Sequence, residues 1–599
     1  MKSRGLRLAF AAICLLLSGS FVTAAPVVTA IGPVSFTPRT YVDSVRAGGE
    51  PESIRSTKFG NLVYSSHEGT THLDRSGATG VLSTAGFFCP GALQPTVQQS
   101  CYSNHVWIWT SDDKGKTWTF RDEGAQYSGF SDPDLTEDAA GSIYNTGINL
   151  VNVAIFSSQD GGKTWPHGTV QCAGGDRPWL AGGKAGELFT SIDTNLDGHQ
   201  LFYSNNSGDS CVSNAAVTDT GIADHGTWPA GCVNTNSNPF GASTCGSFSG
   251  FGKGVYDPVD GSFIEPAQFL HADGTYEGVG ISRLPKAADA FNGGGEVFKP
   301  EEVVTPTTLF SPIGAPEVLQ MDREENLYFA WDTNERDPNG TNGCSLSLPN
   351  AAGGPTPRAN HIKLEVGKHV GPGRWQWLPP MDVESYGPAR IAGAHVEWPW
   401  SVVGDPGNVS VVWYQMDQLV DPDCDIAAAT GQPAPGVKTY IYEAHVTNAL
   451  DPTTRQVAVT NASGGEIHQG GICDSGTTCV ATGQDRRLGD YFTNSIDERG
   501  CVLVASGDTT VPDAVSGGDR ITSLPIFIRQ AGGPSLTGQD CGAVSASSSG
   551  PSIAPASSGG AGTPTTGTGS TGAGLLAVAL AGLAVAVLML TVASTRRPA

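Results

Sequence analysis

The chain has little charge, and what it has is mostly negative. Of its 599 residues 15% are charged, and 58 Asp and Glu outnumber 34 Lys and Arg, which gives a formal net charge of -24. A protein that binds phosphate backbones needs a basic face. The composition therefore excludes nucleic acid as the expected partner, and the acidity favours the solubility of an exported protein.

The signatures of several common enzyme classes are also missing. The sequence contains no P-loop, no dinucleotide-binding fingerprint, no serine-hydrolase elbow and no HExxH pair. No two cysteines have CxxC spacing and no histidine cluster accompanies them, which argues against a zinc site. Glycine (79) and proline (39) are abundant instead. This balance is typical of a large all-β domain with many turns.

Both ends of the chain have the composition of export and anchoring segments. Residues 1–25 combine a basic start, an apolar stretch and small residues, as a secretory signal does. Residues 544–573 form an uncharged Ser/Gly/Thr linker, residues 574–593 an apolar run long enough to span a bilayer, and residues 594–599 a short tail. Two arginines in the tail favour its cytoplasmic side. We expect an exported protein on the extracellular face of the cell membrane, with cell-wall attachment through 563–567 as the alternative.

The cysteines predict disulfide bonds. One of the 13, Cys14, lies in the signal segment, which leaves an even number for the exported chain. The sequence does not determine their connectivity. Pairing neighbours along the chain predicts the bonds Cys89–Cys101, Cys172–Cys211, Cys232–Cys245, Cys344–Cys424, Cys473–Cys479 and Cys501–Cys541.

A short motif recurs three times at a nearly fixed spacing. Residues 111–118 read SDDKGKTW, residues 158–165 SQDGGKTW and residues 204–211 SNNSGDSC, with starts 47 and 46 residues apart. Each follows an apolar strand. The pattern predicts a hairpin turn in which Asp or Asn accepts backbone N–H bonds, Gly takes a positive φ and Trp packs beneath. A period of this length indicates repeated structural units.

These turns resemble the Asp-box, or BNR repeat, of sialidases and other β-propellers. In that family the box is a structural turn, so the resemblance implies a fold more than an activity. A second repeat, strand–turn–strand, then marks seven blades. Its copies are 52–65, 131–149, 176–193, 250–267, 314–332, 397–415 and 490–507.

We therefore predict an all-β chain whose residues 26–543 form a β-propeller of seven blades. Six blades, the number in sialidases, is the alternative. The seventh copy lacks a fourth strand, which residues 34–41 near the N-terminus could supply and so close the ring. The long insertions all fall on one predicted face, where they would build a binding surface unless they are merely tolerated there. They are 67–103, 212–247, 333–358, 416–437, 460–487 and 508–520.

The first strand of each blade should line the channel, and its opening residues should surround the mouth on the insertion side. Many of these are charged, and aromatics stand nearby. They are Glu52, Arg55, Asp132, Asp134, Asp176, Arg177, Glu317, Glu397, Asp490 and Tyr491, followed by Arg486, Arg487, Trp179, Trp398, Trp400 and Phe492. Buried charges are paired or bind a ligand. One interpretation makes Asp132, Asp176, Trp179, Glu317, Trp398, Trp400 and Asp490 ligand-binding; the other makes the charges pairs that join blades.

The resemblance also implies where a sialidase site would lie. That family binds a substrate carboxylate with three arginines and uses a tyrosine nucleophile, a glutamate partner and an aspartate acid/base. The matching residues are Arg55, Arg177 and Arg487, then Tyr491 with Glu397, then Asp134 (or Asp132). Two departures stand against activity: the Arg-Ile-Pro stretch is absent, and the acids at the mouth outnumber the arginines.

One further motif suggests calcium. Asp193, Asn195 and Asp197 match the start of a calcium loop, although Ser204 stands where the loop needs Glu. An Asx-rich turn is the alternative. No cofactor is required. We expect a cell-surface propeller that recognises an extracellular glycan or surface protein, with a glycoside hydrolase such as an exo-sialidase, or a structural protein without a small ligand, as alternatives.

Overall fold

The strands described below come from a computed structural model of the chain. It describes residues 31–44, 46–67, 106–121, 131–149, 152–172, 175–194, 198–218, 220–221, 247–250, 252–270, 276–304, 310–312, 317–335, 361–387, 395–417, 426–427, 432–433, 436–472, 485–512 and 522–542. The predicted signal segment, linker and apolar C-terminal run lie outside these residues. Within them, no helix is long and apolar enough to cross a membrane.

Seven antiparallel sheets follow one another along the chain. Two short N-terminal strands, β1 (Ser35–Phe36) and β2 (Thr40–Tyr41), precede the first three blades. Blade 1 contains β3 (Gly49–Arg55), β4 (Leu62–His67), β5 (Val106–Ser111) and β6 (Thr119–Arg121). Blade 2 contains β7 (Leu135–Glu137), β8 (Ile143–Asn149), β9 (Asn152–Ser158) and β10 (His167–Cys172). Blade 3 contains β11 (Asp176–Gly182), β12 (Leu188–Thr194), β13 (Gly198–Ser204) and β14 (Val212–Thr218).

Blades 4 and 5 carry extra short strands and a one-turn helix. Blade 4 contains β15 (Thr220–Gly221), β16 (Ser247–Gly250), β17 (Val255–Tyr256), β18 (Phe263–Leu270), β19 (Tyr276–Leu284), α1 (Ala287–Phe291) and β20 (Lys299–Val304). Blade 5 contains β21 (Phe310–Pro312), β22 (Val318–Met321), β23 (Leu327–Glu335), β24 (His361–Gly371), β25 (Arg374–Trp377) and β26 (Met381–Asp382), followed by a 3-10 helix (Val383–Tyr386).

The last two blades complete the ring. Blade 6 contains β27 (Val396–Val403), β28 (Val409–Met416), β31 (Lys438–Thr447), β32 (Gln456–Asn461) and β33 (His468–Gln469), with a separate hairpin of β29 (Ile426–Ala427) and β30 (Gln432–Pro433). Blade 7 contains β34 (Thr493–Ile496), β35 (Val502–Asp508) and β36 (Leu524–Gly532). The seven-blade prediction is confirmed, and the six-blade alternative is wrong.

The N-terminus supplies the outer edge of blade 7, as predicted. Strand β1 pairs with β36 through Ser35 and Gly532, and β2 pairs with it through Thr40 and Phe527. The first and last described segments thus share one sheet, which covers an edge that would otherwise expose unpaired backbone groups.

The middle strands explain where the core lies. Every residue of β4 and β5 is buried, because each of these strands has a neighbouring blade on both faces. Strands covered on both faces have near-continuous apolar runs, as the VWIW of β5 shows. The fourth strand β6 is partly exposed at the rim.

The three repeated turns share one hydrogen-bonding pattern. In the first, the carboxylate of Asp113 accepts the backbone N–H groups of Lys116 (3.1 Å) and Thr117 (2.9 Å), and Gly115 N–H donates to the hydroxyl of Ser111 (2.9 Å). Asp160 and Ser158 repeat these bonds in the second turn, and Asn206 and Ser204 keep the equivalent of two of them in the third. The predicted turn chemistry is confirmed.

The last position of each repeated turn anchors it to the core. Trp118 packs edge-to-face on Tyr64, and Trp165 does so on Phe156, with centroids 5.6 and 5.3 Å apart. The third turn has Cys211 instead of Trp, and this cysteine is bonded to Cys172 of blade 2. A covalent bond therefore occupies the place of the aromatic anchor.

Two predicted disulfide bonds are confirmed. Cys172–Cys211 joins blades 2 and 3, and Cys501–Cys541 ties the end of the described chain to blade 7. The other eight cysteines of the predicted pairs lie outside the described residues. Disulfides are typical of extracellular or exported proteins.

Candidate functional site

A shared bulge opens the first strand of most blades. Its first residue has a positive φ in six blades, at Glu50, Asp132, Arg177, Gly252, Trp398 and Gly489. The strand register shifts at this point in blades 1, 3 and 6. In sequence, Pro follows this position in blades 1, 2, 3 and 6, and the APE of 315–317 gives blade 5 the same pattern. This recurrent x-Pro-x tripeptide is a signal that the sequence analysis missed.

The third residue of the bulge points to the channel axis, and three of these residues are aromatic. Trp179, Trp400 and Tyr491, here called the channel cluster, contact one another with centroids 5.1 to 5.7 Å apart. Each is at most 2% exposed. The channel is therefore closed by packed rings at this level.

The burial of these rings bears on the predicted ligand contacts. Trp179, Trp398 and Trp400 belong to one hydrophobic core with Phe492, which stacks on Tyr414 at a centroid distance of 4.0 Å. Stacking on a sugar needs an exposed ring face. The structure places the three tryptophans inside the core instead, because a first strand turns its bulged residues toward the axis.

A buried lysine crosses the channel beneath this cluster. Lys253 of blade 4 contacts the carboxylate of Asp134 in blade 2 and lies 3.3 Å from Glu52 in blade 1. Its ammonium also lies 5.6 Å from the ring of Trp400. Burial alone lowers the pKa of Lys253, but Asp134 and Glu52 raise it and prevail, so the lysine stays charged. Lys253 is not among the site residues predicted from the sequence.

The two carboxylates of this group are bonded to backbone as well. Asp134 accepts the N–H of Leu180 at 2.6 Å, and Glu52 accepts that of Leu135. Burial and then Asp134 raise the pKa of Glu52 well above its usual value, although Lys253 opposes this. Asp134, predicted as a catalytic acid, thus joins blades 2, 3 and 4. The blade-joining interpretation of the channel charges is favoured here.

Glu50 organises the mouth of the channel. Its carboxylate accepts the backbone N–H groups of Asp132 (3.2 Å) and Asp490 (3.0 Å) and lies 2.8 Å from Nε2 of His67. The residue is fully buried. Blades 1, 2 and 7 are joined through this one side chain, which the sequence analysis did not name.

Partly exposed charges lie above Glu50. Asp176, Arg177 and Asp490 are here called the mouth site: Asp176 is exposed, and the side chains of Arg177 and Asp490 are 22% and 11% exposed. The guanidinium of Arg177 lies 3.6 Å from Asp490, and its backbone N–H donates to Asp132 at 3.1 Å. Burial lowers the pKa of Arg177, but Asp490, Asp176, Asp132 and Asp193 raise it and prevail. Burial, with Glu50 and Asp176, raises the pKa of Asp132 well above its usual value.

The three predicted arginines do not converge. Arg55 lies at the far end of β3, about 17 Å from Glu50 at roughly 3.3 Å per residue, and it pairs with Glu498 at 3.3 Å. Arg487 pairs with Asp485 through hydrogen bonds of 3.0 Å. Arg177 meets Arg486 instead, because both contact Asp490. Arg55 was expected at the mouth, but it is the last residue of β3, which runs from the mouth to the opposite face.

The predicted nucleophile and its glutamate partner are each hydrogen-bonded to a different group. The hydroxyl of Tyr491 donates to the carbonyl of Pro133 at 2.6 Å, while Glu397 is bonded to Nε2 of His395 at 3.0 Å. Burial, followed by Glu50 and other acids, raises the pKa of Tyr491 well above its usual value. A nucleophilic tyrosine needs an accessible oxygen and a nearby base, and Tyr491 has neither among the described residues.

The remaining predicted residues are dispersed. Both carboxylate oxygens of Glu317 are buried and have no hydrogen-bond partner among the described residues, and burial together with Asp332 raises its pKa well above its usual value. Asp193 lies in β12, whereas Asn195 and Asp197 lie outside the described residues, so the calcium loop stays a prediction. In the part of the chain that the structure covers, no three His, Cys, Asp or Glu side chains are grouped so as to hold a metal ion.

Fold and channel together define a seven-bladed β-propeller with a closed channel. No protein-family model and no curated protein matches the chain. Among solved structures, a PL25 ulvan lyase is similar at 9% identity and TM-score 0.41 (82% of this chain, 95% of that one). A Dyadobacter fermentans protein of unknown function is similar at 13% identity and TM-score 0.37, over 84% of this chain and 100% of that one. A Trypanosoma rangeli sialidase mutant with trans-sialidase activity is similar at 10% identity and TM-score 0.32, over 84% of this chain and 59% of that one. At these scores the likeness carries no argument, so the fold rests on the strand pairing.

Proposed function

We propose that this protein is an exported, membrane-tethered propeller that recognises an extracellular glycan or surface protein at the mouth of its channel. The mouth site carries the proposal. Asp176 and Arg177 present charge to solvent at the centre of one face, directly above a closed channel, and Asp490 lies beside Arg177. A ligand would therefore bind on this face rather than thread through the ring. Long loops around a rigid scaffold commonly build such surfaces.

The topology supports the same face. Strand β4 ends at His67 opposite Gly49, so segment 68–105 leaves and re-enters blade 1 at the mouth end. Segment 336–360 likewise leaves and re-enters blade 5 at the mouth end, because Thr333 pairs with His361. These two segments, which contain most of the predicted insertions 67–103 and 333–358, thus attach to the described blades at the end that carries the mouth site. The Asp-box resemblance fits this arrangement, because the repeated turns lie at the opposite end.

The contacts of Tyr491 and Asp134 favour recognition over hydrolysis. In a sialidase-type reaction Tyr491 would attack the sugar, but its hydroxyl is bonded to Pro133 inside the core. Asp134 is likewise bonded to Lys253 and Leu180. Hydrolysis is therefore kept as an outcome of the test below and not as a second proposal.

The test is a glycan array and a surface-protein pull-down with the purified protein and two variants. Arg177→Asn removes the guanidinium and suits the left-handed backbone, since Asn tolerates positive φ. Lys184→Gln removes an exposed charge from the opposite face and serves as the control. We expect Arg177→Asn to weaken binding roughly tenfold or more, as loss of a charged hydrogen bond does, and Lys184→Gln to leave it unchanged.

Two results would overturn the proposal. Binding to no glycan or surface protein would favour the structural alternative. Turnover of a 4-methylumbelliferyl sialoside that Tyr491→Phe abolishes would establish the hydrolase. Arrays with and without calcium test the predicted loop at Asp193 in the same experiment.

A further inference from the structure

A cleft lies between blades 1 and 7 on the face opposite the mouth. The buried side chains of Leu62 and Leu503 line its apolar part. Arg55, Lys114 and Arg529 line it together with two neighbouring acids, Asp497 and Glu498. These charges come from β3, the first repeated turn, the β34–β35 turn and β36, so the cleft is built from four separate segments of the chain.

Each carboxylate in this cleft is shared by two cations. Glu498 lies 2.6 Å from Nζ of Lys114 and 3.3 Å from Nε of Arg55. Asp497 contacts Arg529 and lies 3.9 Å from Arg499. Four cations thus surround two carboxylates, which leaves two positive charges unmatched within the cluster. In a chain with a net charge of -24, this local surplus attracts anions.

The arginines also have hydrogen-bond donors to spare. The Nε atoms of Arg499 and Arg529 are buried, and neither makes a hydrogen bond with another described residue. Buried donors without acceptors disfavour the folded state. These unpaired donors do not stabilise the fold. Guanidinium donors without an internal acceptor are expected at a site that binds the oxygen atoms of a ligand.

The backbone of Lys114 directs this cation to the cleft. Its φ is 65°, and the equivalent residues of the other two repeated turns, Gly161 and Ser207, have φ 78° and 60°, so the left-handed conformation belongs to the turn. Glycine adopts this conformation freely, whereas a side chain makes it unfavourable. The lysine is kept despite that strain, and its ammonium reaches across to the neighbouring blade.

We propose that this cleft is a second binding site, which takes a single oxyanion group, a carboxylate or a sulfate. The cations bind the group directly, and the apolar wall at Leu62 and Leu503 excludes water from one side. The group can belong to a free anion or to an acidic saccharide. Because the cleft lies on the opposite face, the site is independent of the mouth site and of the function proposed for it.

The experiment is calorimetric titration of the purified protein with three probes. The probes are inorganic sulfate, a uronic-acid oligosaccharide and a neutral oligosaccharide of the same length. We expect the neutral probe not to bind, and the anions to bind more weakly as salt rises from about 0.05 M to about 0.5 M, because salt screens exposed charges. Stronger binding of the oligosaccharide than of sulfate identifies a saccharide as the ligand, and equal binding identifies the free anion.

Three variants separate a built site from general attraction. Lys114→Gly should lower the anion affinity roughly three- to tenfold, while the melting temperature holds or rises because the left-handed strain is relieved. Glu498→Gln removes the competing internal carboxylate and should raise the affinity. Lys184→Gln, on the same face in blade 3, is the control and should change nothing. The proposal fails if no anion binds, if Lys114→Gly and Lys184→Gln act alike, or if Glu498→Gln weakens binding.

Discussion

The hydroxyl of Tyr491 donates a hydrogen bond of 2.6 Å to the carbonyl oxygen of Pro133. This bond runs from blade 7 to blade 2 at the centre of the ring, where Tyr491 also packs on Trp179 and Trp400. Pro133 is itself the middle residue of a bulge. The aromatic residue of one bulge is therefore fixed by the backbone of another, and the closed channel depends on this relationship.

Removing that hydroxyl should destabilise the fold. Tyr491→Phe leaves the Pro133 carbonyl buried without its donor, and an unmet buried group costs about 1–3 kcal/mol. We expect the free energy of unfolding in urea to fall by about that amount. Tyr440→Phe, in the partly exposed strand β31, is the control and should change it little. Unchanged stability combined with lost sialoside turnover would instead make Tyr491 catalytic.

The buried ammonium of Lys253 should matter more. Lys253→Met leaves Glu52 and Asp134 together without their cation, and breaking a buried pair from one side costs about 3–5 kcal/mol. The measurement is again urea unfolding at neutral pH. The triple variant Lys253→Met, Glu52→Gln, Asp134→Asn should recover part of the loss, because no uncompensated charge remains. If Lys253→Met barely changes the free energy of unfolding, Lys253 does not hold the three blades together.

Local sequence patterns predicted the ring but not its interior. The turn at Ser111–Trp118 set the phase of the strands, and the missing fourth strand of blade 7 pointed to the N-terminus. Both signals are local and periodic, so they can be recognised without a structure. The pairing of Lys253 with Glu52 joins residues 201 positions apart, and no local pattern records such a contact.

The candidate site shows the same limit. The sequence predicted Asp132, Asp134 and Tyr491 near the channel, yet it did not say which of these side chains face one another or solvent. The bulges that open the first strands turn alternate residues into the axis, and this geometry buried Trp179 and Trp400. The recurrent proline was visible in the sequence, but its consequence depends on seven blades packing at once.

Stability should depend on pH through buried carboxyls. Burial raises the pKa of Asp332 to about 8, with Glu397 adding to the shift, and burial raises the pKa of Glu365 to about 8. The pKa values of Asp332 and Glu365 are higher in the folded protein than in the unfolded chain. Their contribution to the free energy of unfolding is therefore fully present below the unfolded-state pKa and is lost as the pH rises through about 8. We expect the free energy of unfolding to fall between about pH 5 and about pH 9.

The variant Asp332→Asn isolates one contribution to this slope. The amide oxygen can still accept the N–H of Trp398, which Asp332 accepts at 3.1 Å, but the side chain no longer titrates. For this variant, the free energy of unfolding should fall less steeply with pH than it does for the unmodified protein. Asp451→Asn is the control, since hydrogen bonds from Thr453 and Thr454 lower the pKa of the exposed Asp451, which stays ionised in this range. Equal slopes for the unmodified protein and Asp332→Asn would contradict the assignment.

The two disulfides should stabilise the fold by similar amounts. Cys172–Cys211 and Cys501–Cys541 close loops of nearly equal length, with sequence separations of 39 and 40. Cross-links of this span restrict the unfolded chain and contribute about 2–4 kcal/mol each. We expect Cys211→Ser and Cys541→Ser to lower the unfolding free energy comparably, and each variant to lose less on adding dithiothreitol than the unmodified protein does. If Cys211→Ser costs much more than Cys541→Ser, the bond also replaces the packing that Trp118 and Trp165 provide in the other two turns.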